Sequence, residues 1–73
     1  MKGVIVGRIV HFHPPTADQS VAEAQAAIIT KIHDDKETVN LSVFPDSAAR
    51  QSFNSVPFSE KPAPYSWHWP EKV

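Results

Sequence analysis

The chain has 73 residues, which makes it one domain near the lower size limit for folding without disulfides or metals. It has no cysteine, so neither a disulfide framework nor a thiolate metal site is available to supplement the core. Seven basic and eight acidic residues are scattered along the chain, without the cluster of cations that binding to a phosphate backbone requires. These totals disfavour dedicated nucleic-acid binding. They predict a single small domain over residues 1–73 that benefits from sharing apolar surface with a partner, including a second copy of itself.

The first predicted strand is GVIVGRIVHFH, residues 3–13, because this stretch is rich in β-branched residues and poor in helix formers. Both alternating sets of side chains are partly apolar, which is typical of a strand in a barrel. Gly7 indicates a bulge or a close backbone approach, and the two prolines at 14 and 15 end the strand because proline has no N–H to donate. The apolar run is short and interrupted by Gly7 and Arg8, so we expect neither a signal peptide nor a membrane span.

Residues 20–35, SVAEAQAAIITKIHDD, fit two interpretations. Ser20 and Glu23 have the spacing of a capping box, and an apolar stripe at helical spacing follows them. Against a helix, the segment IITKI is β-branched at most positions. A polar turn, HDDKET, then leads to the alternating stretch VNLSVF, residues 39–44. We favour a strand over residues 26–33 that forms a hairpin with 39–44, with a helical turn retained as an alternative for residues 20–25.

The sequence pattern of the second half of the chain indicates one loop and two short strands. The segment PDSAARQSFNS, residues 45–55, is polar and predicts an exposed loop, whereas SVPF, residues 55–58, predicts a strand. The segment SWHWP, residues 66–70, predicts a final short strand at a sheet edge, ended by Pro70. Five short strands in a chain of this size predict an all-β protein, either a small SH3-like five-stranded barrel or a strongly curled sheet.

The candidate chemical groups do not form a recognisable reaction centre or metal site. His11 and His13 lie two apart on a predicted strand and could share a metal, but they occur without cysteines or an HExxH spacing, so we expect no metal and no cofactor. Asp34, Asp35 and Glu37 cluster in a turn, where we expect solvated carboxylates with ordinary pKa values. No serine lies in a nucleophile motif. We therefore expect no catalytic residues and no enzymatic activity.

The seven aromatic rings are the remaining candidates for a binding surface. In an extended segment Trp67 and Trp69 share one face and His68 takes the other, so the two indoles either close the core or line a surface for a ligand or subunit. Aromatic and arginine side chains contribute much of the energy at interfaces. The loop 46–54 would form the opposite wall of such a surface. The predicted binding residues are Trp67, Trp69, Tyr65, Arg8, Arg50, Phe53 and His68.

In order, the segments VGRIVHFH, AAIITKI, VNLSVFPD, SVPF and SWHWPE resemble a family of small uncharacterised proteins encoded by bacteriophages and prophages. Those proteins follow the pattern VGRIVHY…AAIVT…VNLxVFxDG…GTWHWPE, and the resemblance covers nearly the whole chain. Ser47 stands where the family usually has glycine, and Ser66 where it has threonine. The resemblance implies a viral origin, β structure over residues 26–33 and a location in the host cytoplasm or on the virion. It implies no activity.

We therefore expect a phage-encoded accessory protein that acts by binding or assembly, with itself, a virion component or a host protein as its partner. A second hypothesis is an oligomer that sequesters a small host signalling metabolite, with Arg8, Lys31 and Arg50 neutralising its phosphates beside the tryptophans. A third is weak nucleic-acid contact through the same aromatic side chains. We expect no membrane partner.

Overall fold

The computed structural model describes residues 3–70, which form a single antiparallel sheet of five strands in the order β4-β3-β2-β1-β5. No residue in this range is helical. The described chain is all-β and its sheet is strongly curled, so the predicted class of a small five-stranded barrel or strongly curled sheet is confirmed. The strands are β1 (Ile9–His13), β2 (Gln25–Ile32), β3 (Val39–Phe44), β4 (Gln51–Val56) and β5 (Ser66–His68).

The two ends of the curled sheet meet through the chain that follows β4. Phe58 forms a parallel bridge with Trp67 of β5. The N–H of Trp67 donates to the carbonyl of Pro57 at 3.0 Å, and the N–H of Ser59 donates to the carbonyl of Trp67 at 2.9 Å. The predicted edge position of β5 agrees with the strand order, and Trp67 has β1 on one side and residues 57–59 on the other.

Two register shifts lie beside Asn40, in β3 near the middle of the sheet. The pairing of β2 with β3 shifts register between Ile29 and Lys31, and the pairing of β3 with β4 shifts between Val39 and Leu41. Such bulges bend a strand and increase its right-handed twist. Since both shifts lie beside Asn40, they bend neighbouring parts of three strands together and turn a flat sheet towards a barrel.

The core lies on the concave face, where alternate residues of the strands point inward. The largest buried side chains are those of Trp67 and Phe12, which face each other across the β1–β5 pair. The indole of Trp67 also meets the ring of Phe58 edge-on, with centroids 4.9 Å apart. The buried apolar residues are Val10, Phe12, Ala27, Ile29, Val39, Leu41, Val43, Val56 and Trp67.

The first strand is shorter than predicted, because the chain turns before it. The N–H of Arg8 donates to the carbonyl of Ile5 at 3.2 Å, and Gly7 has a φ of 94°. Glycine adopts this backbone conformation without the steric penalty that other residues meet. The predicted strand 3–13 therefore begins at Ile9, and the predicted bulge at Gly7 is instead a turn. The N–H of Gly7 still reaches β2, where it donates to the carbonyl of Ile29 at 2.7 Å.

The hairpin prediction is confirmed, since β2 and β3 pair along most of their length. Residues 20–24 contain no helix, so the capping-box spacing of Ser20 and Glu23 does not start one. The predicted loop 45–55 is wrong in its second half, where β4 begins at residue 51. Strand β4 has only two inward-facing side chains of substantial size, Phe53 and Val56, so its sequence lacks a clear apolar alternation.

Candidate functional site

Trp67 belongs to the core and cannot stack on a ligand in this conformation. Its side chain is fully buried, and its indole N–H donates to the backbone carbonyl of Glu37 at 2.8 Å. The ring of Trp69 meets it edge-on, with centroids 5.2 Å apart and planes at 88°. Of the two predicted uses of these indoles, closing the core is therefore the one that Trp67 fulfils.

Trp69 is half-buried. One part of its indole packs against Trp67, and Arg8, which is exposed, also lies against the ring. The guanidinium carbon of Arg8 lies 5.5 Å from the centroid of the Trp69 ring. This distance is within the range of a cation–π interaction, in which the positive charge meets the electron-rich face of the indole. Arg8 and Trp69 are thus one predicted cation and one predicted aromatic residue that the fold brings together.

Tyr65 and Phe53 flank Phe12 at the edge of the core. The rings of Phe12 and Phe53 are 4.7 Å apart, and the ring of Tyr65 lies 6.0 Å from Phe12 and 6.1 Å from Phe53. The hydroxyl of Tyr65 donates to the backbone carbonyl of Asn54. These two predicted binding residues therefore fasten β4 to the segment before β5, and their rings pack on each other.

Arg50 lies on the convex face of the sheet. Its guanidinium donates to the hydroxyl of Ser42 at 3.1 Å and to the hydroxyl of Ser52 at 2.9 Å. Ser42 alternates with the buried Leu41 and Val43, so it points away from the core. The predicted wall 46–54 is therefore divided between the two faces, with Arg50 outside and Phe53 inside.

His68 pairs with His13 rather than with the tryptophans. Both imidazoles are buried on the convex side of the β1–β5 pair, and their Nε2 atoms are 2.8 Å apart. His11 lies opposite His68 in the register, with ring centroids 5.7 Å apart. The prediction had placed His11 and His13 near each other, but the partnership with His68 depends on pairing between residues 55 positions apart in the sequence.

Residues 3–70 contain no group of three or more histidines or carboxylates placed to hold a metal ion. His33, the fourth histidine, donates through Nε2 to the Oδ1 atom of Asn40 at 2.8 Å. No helix in the same range has the length and apolarity needed to cross a membrane.

The expectation of ordinary pKa values in the turn between β2 and β3 is wrong for Asp35. Its carboxylate accepts hydrogen bonds from the hydroxyl of Thr38 at 2.6 Å, the N–H of Thr38 at 2.8 Å and the N–H of Glu37 at 2.9 Å. These bonds, the Thr38 hydroxyl first, stabilise the charged form and lower the pKa of Asp35 to about 2. A carboxylate held in this way stabilises a turn and does not transfer protons near neutral pH.

Sequence reasoning missed an apolar patch on the convex face, across β1, β2 and β3. Ile9 and Ile28 face each other in the register, and so do Ala26 and Phe44. Ile9 is 58% exposed and Phe44 is 44% exposed. We name these four residues the outer patch. A surface depression of about 400 Å³ adjoins it, lined by Glu23, Ala24, Gln25, Ala26, Phe44 and Asp46.

The signal for the outer patch was present in the sequence, because both alternating sets of the first strand are partly apolar. One set fills the core, and the other includes Ile9 on the opposite face. The fold and these surfaces define a small, curled, all-β domain with an exposed apolar patch. The chain matches no protein-family model, no curated protein and no solved structure.

Proposed function

We propose that this protein is a phage-encoded accessory protein that acts by binding rather than by catalysis, and that the outer patch joins it to a second copy of itself. The observation that carries the proposal is that two apolar cross-strand pairs, Ile9 with Ile28 and Ala26 with Phe44, lie near each other on the convex face. The viral origin rests on the resemblance of the sequence pattern to phage and prophage proteins.

The position of the outer patch supports a binding role. Its side chains stand on rigid, paired strands, so little conformational freedom is lost when a partner covers them. Contiguous apolar surface of this kind marks association sites on small proteins. The domain has only nine fully buried apolar side chains among its described residues, so covering Ile9 and Phe44 would add substantially to the apolar area removed from water.

Light scattering coupled to size exclusion tests the proposal directly. We expect the wild-type chain, of 8.1 kDa, to elute as a dimer or larger oligomer. Phe44→Lys places a charge in the outer patch and is expected to give a monomer. Ala49→Lys is the matched control, since it adds the same charge in an exposed loop, and it is expected to leave the oligomer intact.

Two results would reject self-association through the outer patch. One is a wild-type monomer at the highest attainable concentration, and the other is an oligomer that Phe44→Lys leaves unchanged. Phe44 and Ala49 both lie outside the core, so we expect both variants to fold. Circular dichroism checks that they do.

A second candidate function, the sequestration of a small phosphorylated metabolite, is favoured by the contact between Arg8 and Trp69. A guanidinium beside an exposed part of an indole offers both charge and a stacking surface to a nucleotide. Denaturing mass spectrometry of protein purified from a host lysate tests this candidate. A co-purifying small molecule that is lost in Arg8→Ala supports it, and its absence from the wild-type protein excludes it.

A further inference from the structure

The side chains of His13 and His68 meet through their nitrogen edges inside the protein. Their Nε2 atoms are 2.8 Å apart, whereas their ring centroids are 4.9 Å apart and their planes differ by 24°. His13 is 5% exposed and His68 is 7% exposed. The contact is therefore a directional one between two nitrogen atoms that water does not readily reach.

The contacts of the second nitrogen, Nδ1, show where each ring carries its hydrogen. The Nδ1 atom of His13 lies 2.7 Å from the carbonyl oxygen of Ala22, and that of His68 lies 2.8 Å from the carbonyl oxygen of Trp69. A carbonyl oxygen can only accept, so each Nδ1 carries a hydrogen and donates it. A neutral imidazole has one N–H, and in both rings Nδ1 already has it.

Two neutral rings in this arrangement would direct two bare Nε2 lone pairs at each other. Lone pairs repel at 2.8 Å, and burial prevents water from separating them. A positive ion between the two nitrogens would remove this repulsion. The candidates are a metal ion and a proton.

The distance between the nitrogens distinguishes these candidates. Zinc binds imidazole nitrogen at about 2.0–2.1 Å, and tetrahedral geometry would then separate two ligand nitrogens by roughly 3.3 Å. The observed 2.8 Å is shorter and falls within the usual range for a hydrogen bond from nitrogen. We propose that His13 and His68 form a buried proton-binding site, in which one added proton is shared between the two Nε2 atoms and the pair carries a single positive charge.

The four ring nitrogens are fully used by each other and by the two carbonyl groups, so the charge is balanced by backbone dipoles rather than by a carboxylate. His11 is the titratable neighbour whose ring contacts the pair. Asp18 in the segment 14–24 is engaged by Ser20. The titratable groups on the elements around the pair are His11 on β1, Asp18 and Glu23 in the segment 14–24, and Glu60, Lys61 and Tyr65 in the segment before β5.

The shared proton joins three parts of the fold. His13 belongs to β1 and holds the segment 14–24 through Ala22, while His68 belongs to β5 and holds the chain that leaves it through Trp69. Removing the proton restores the repulsion between lone pairs, and adding a second one places two like charges side by side. Both changes weaken the attachment of these segments.

Nitrogen-15 NMR of the imidazole rings in the wild-type protein tests the proposal without any substitution. At neutral pH we expect both Nδ1 atoms to be protonated and both Nε2 atoms to show shifts between those of bare and protonated nitrogen. Detection of a bare Nδ1 in either ring would overturn the proposal, because the pair would then be bonded as two neutral tautomers.

A substitution gives the second test. His68→Gln supplies an amide N–H that can donate to Nε2 of His13 without an added proton, so Nε2 of His13 should then show the nitrogen-15 shift of a bare nitrogen that accepts a hydrogen bond. His11→Gln is the matched control and should retain the Nε2 shifts of the wild-type pair. An unchanged Nε2 shift of His13 in His68→Gln contradicts the proposal, and if this variant does not fold the wild-type spectrum decides.

Calorimetry with zinc ion alone distinguishes the metal alternative. We expect no binding at stoichiometric concentration, because two nitrogens at the observed separation do not accommodate the ion. Tight binding accompanied by release of the shared proton would assign the site to a metal and overturn the proposal.

Discussion

The indole N–H of Trp67 donates a hydrogen bond to the backbone carbonyl of Glu37, which lies 30 residues earlier in the chain. The largest side chain of the core is thereby attached to the turn between β2 and β3. Asp35 stabilises that turn, because its carboxylate accepts hydrogen bonds from Thr38 and from the N–H of Glu37. The packing of β5 and the conformation of a surface turn are therefore directly connected.

Trp67→Phe should destabilise the protein more than Trp69→Phe does. The first substitution removes the hydrogen bond to Glu37 and leaves space in the core, with an expected loss of roughly 1–3 kcal/mol in the free energy of unfolding. Trp69 is only half-buried and packs against the outside of the core. Urea denaturation followed by far-UV circular dichroism measures both losses. A larger loss for Trp69→Phe would contradict this assignment.

Asp35 should make the protein sensitive to acid. Its pKa is about 2 in the folded protein and 3.8 in the reference state, so its contribution is fully present above pH 3.8. The contribution is lost as the pH falls through about 2, because protonation then removes the hydrogen bonds that the folded state makes to the carboxylate.

Asp35→Ala should therefore lower stability at neutral pH and flatten its decline between these two pH values. Asp34→Ala is the matched control, since Asp34 is the preceding exposed carboxylate of the same turn. Thermal unfolding of the three proteins at a series of acidic pH values is the measurement. Equal acid sensitivity in the wild type and Asp35→Ala would show that other groups dominate.

Asn40→Ala should lower the free energy of unfolding by about 1–3 kcal/mol, because its Oδ1 atom accepts from the N–H of Ser55 and from His33. Ser55 has a φ of 54°, so the bond holds a backbone conformation that serine adopts only with strain. Asn54→Ala, at an exposed position of β4, should change stability little. Chemical denaturation separates the two variants, and similar losses in both would argue against a special role for Asn40.

Arg8→Ala should reduce stability by roughly 0.5–1 kcal/mol, as expected for a cation–π interaction at an exposed site. It should also alter the fluorescence of the protein, since the guanidinium lies over Trp69. Lys31→Ala removes a cation from another exposed position and serves as the control. A loss of stability no greater than that of Lys31→Ala would leave Arg8 free of any structural role.

The parts of the fold that were predictable from the sequence are those with clear alternation. Strand β3 alternates Val39, Leu41 and Val43 with polar residues, and its hairpin with β2 followed from that pattern and the polar turn between them. Strand β5 was also placed correctly, because two indoles separated by one residue suit an extended segment. Strand β4 was predicted only at its end, where the predicted strand 55–58 overlaps it at residues 55 and 56, since its core-facing side is supplied largely by Phe53 and Val56.

The details of the candidate sites depend on contacts that local pattern does not encode. Asn40 is one polar residue in an alternating strand, and only the register of β4 shows that it accepts a hydrogen bond from Ser55. The pairing of His13 with His68 likewise requires β1 and β5 to be adjacent, which depends on how the whole sheet curls. The sequence identified the residue types at these sites but not their partners.

The bridge between Phe58 and Trp67 has a consequence for how this protein can recognise others. An open sheet offers unpaired main-chain groups to any extended peptide, and that mode of recognition depends little on side-chain identity. Here the N–H and carbonyl of Trp67 are already bonded to residues 57 and 59, so the last strand cannot serve as a generic template. Among the described strands, β4 at the other end of the order is therefore the edge along which an extended peptide could still pair.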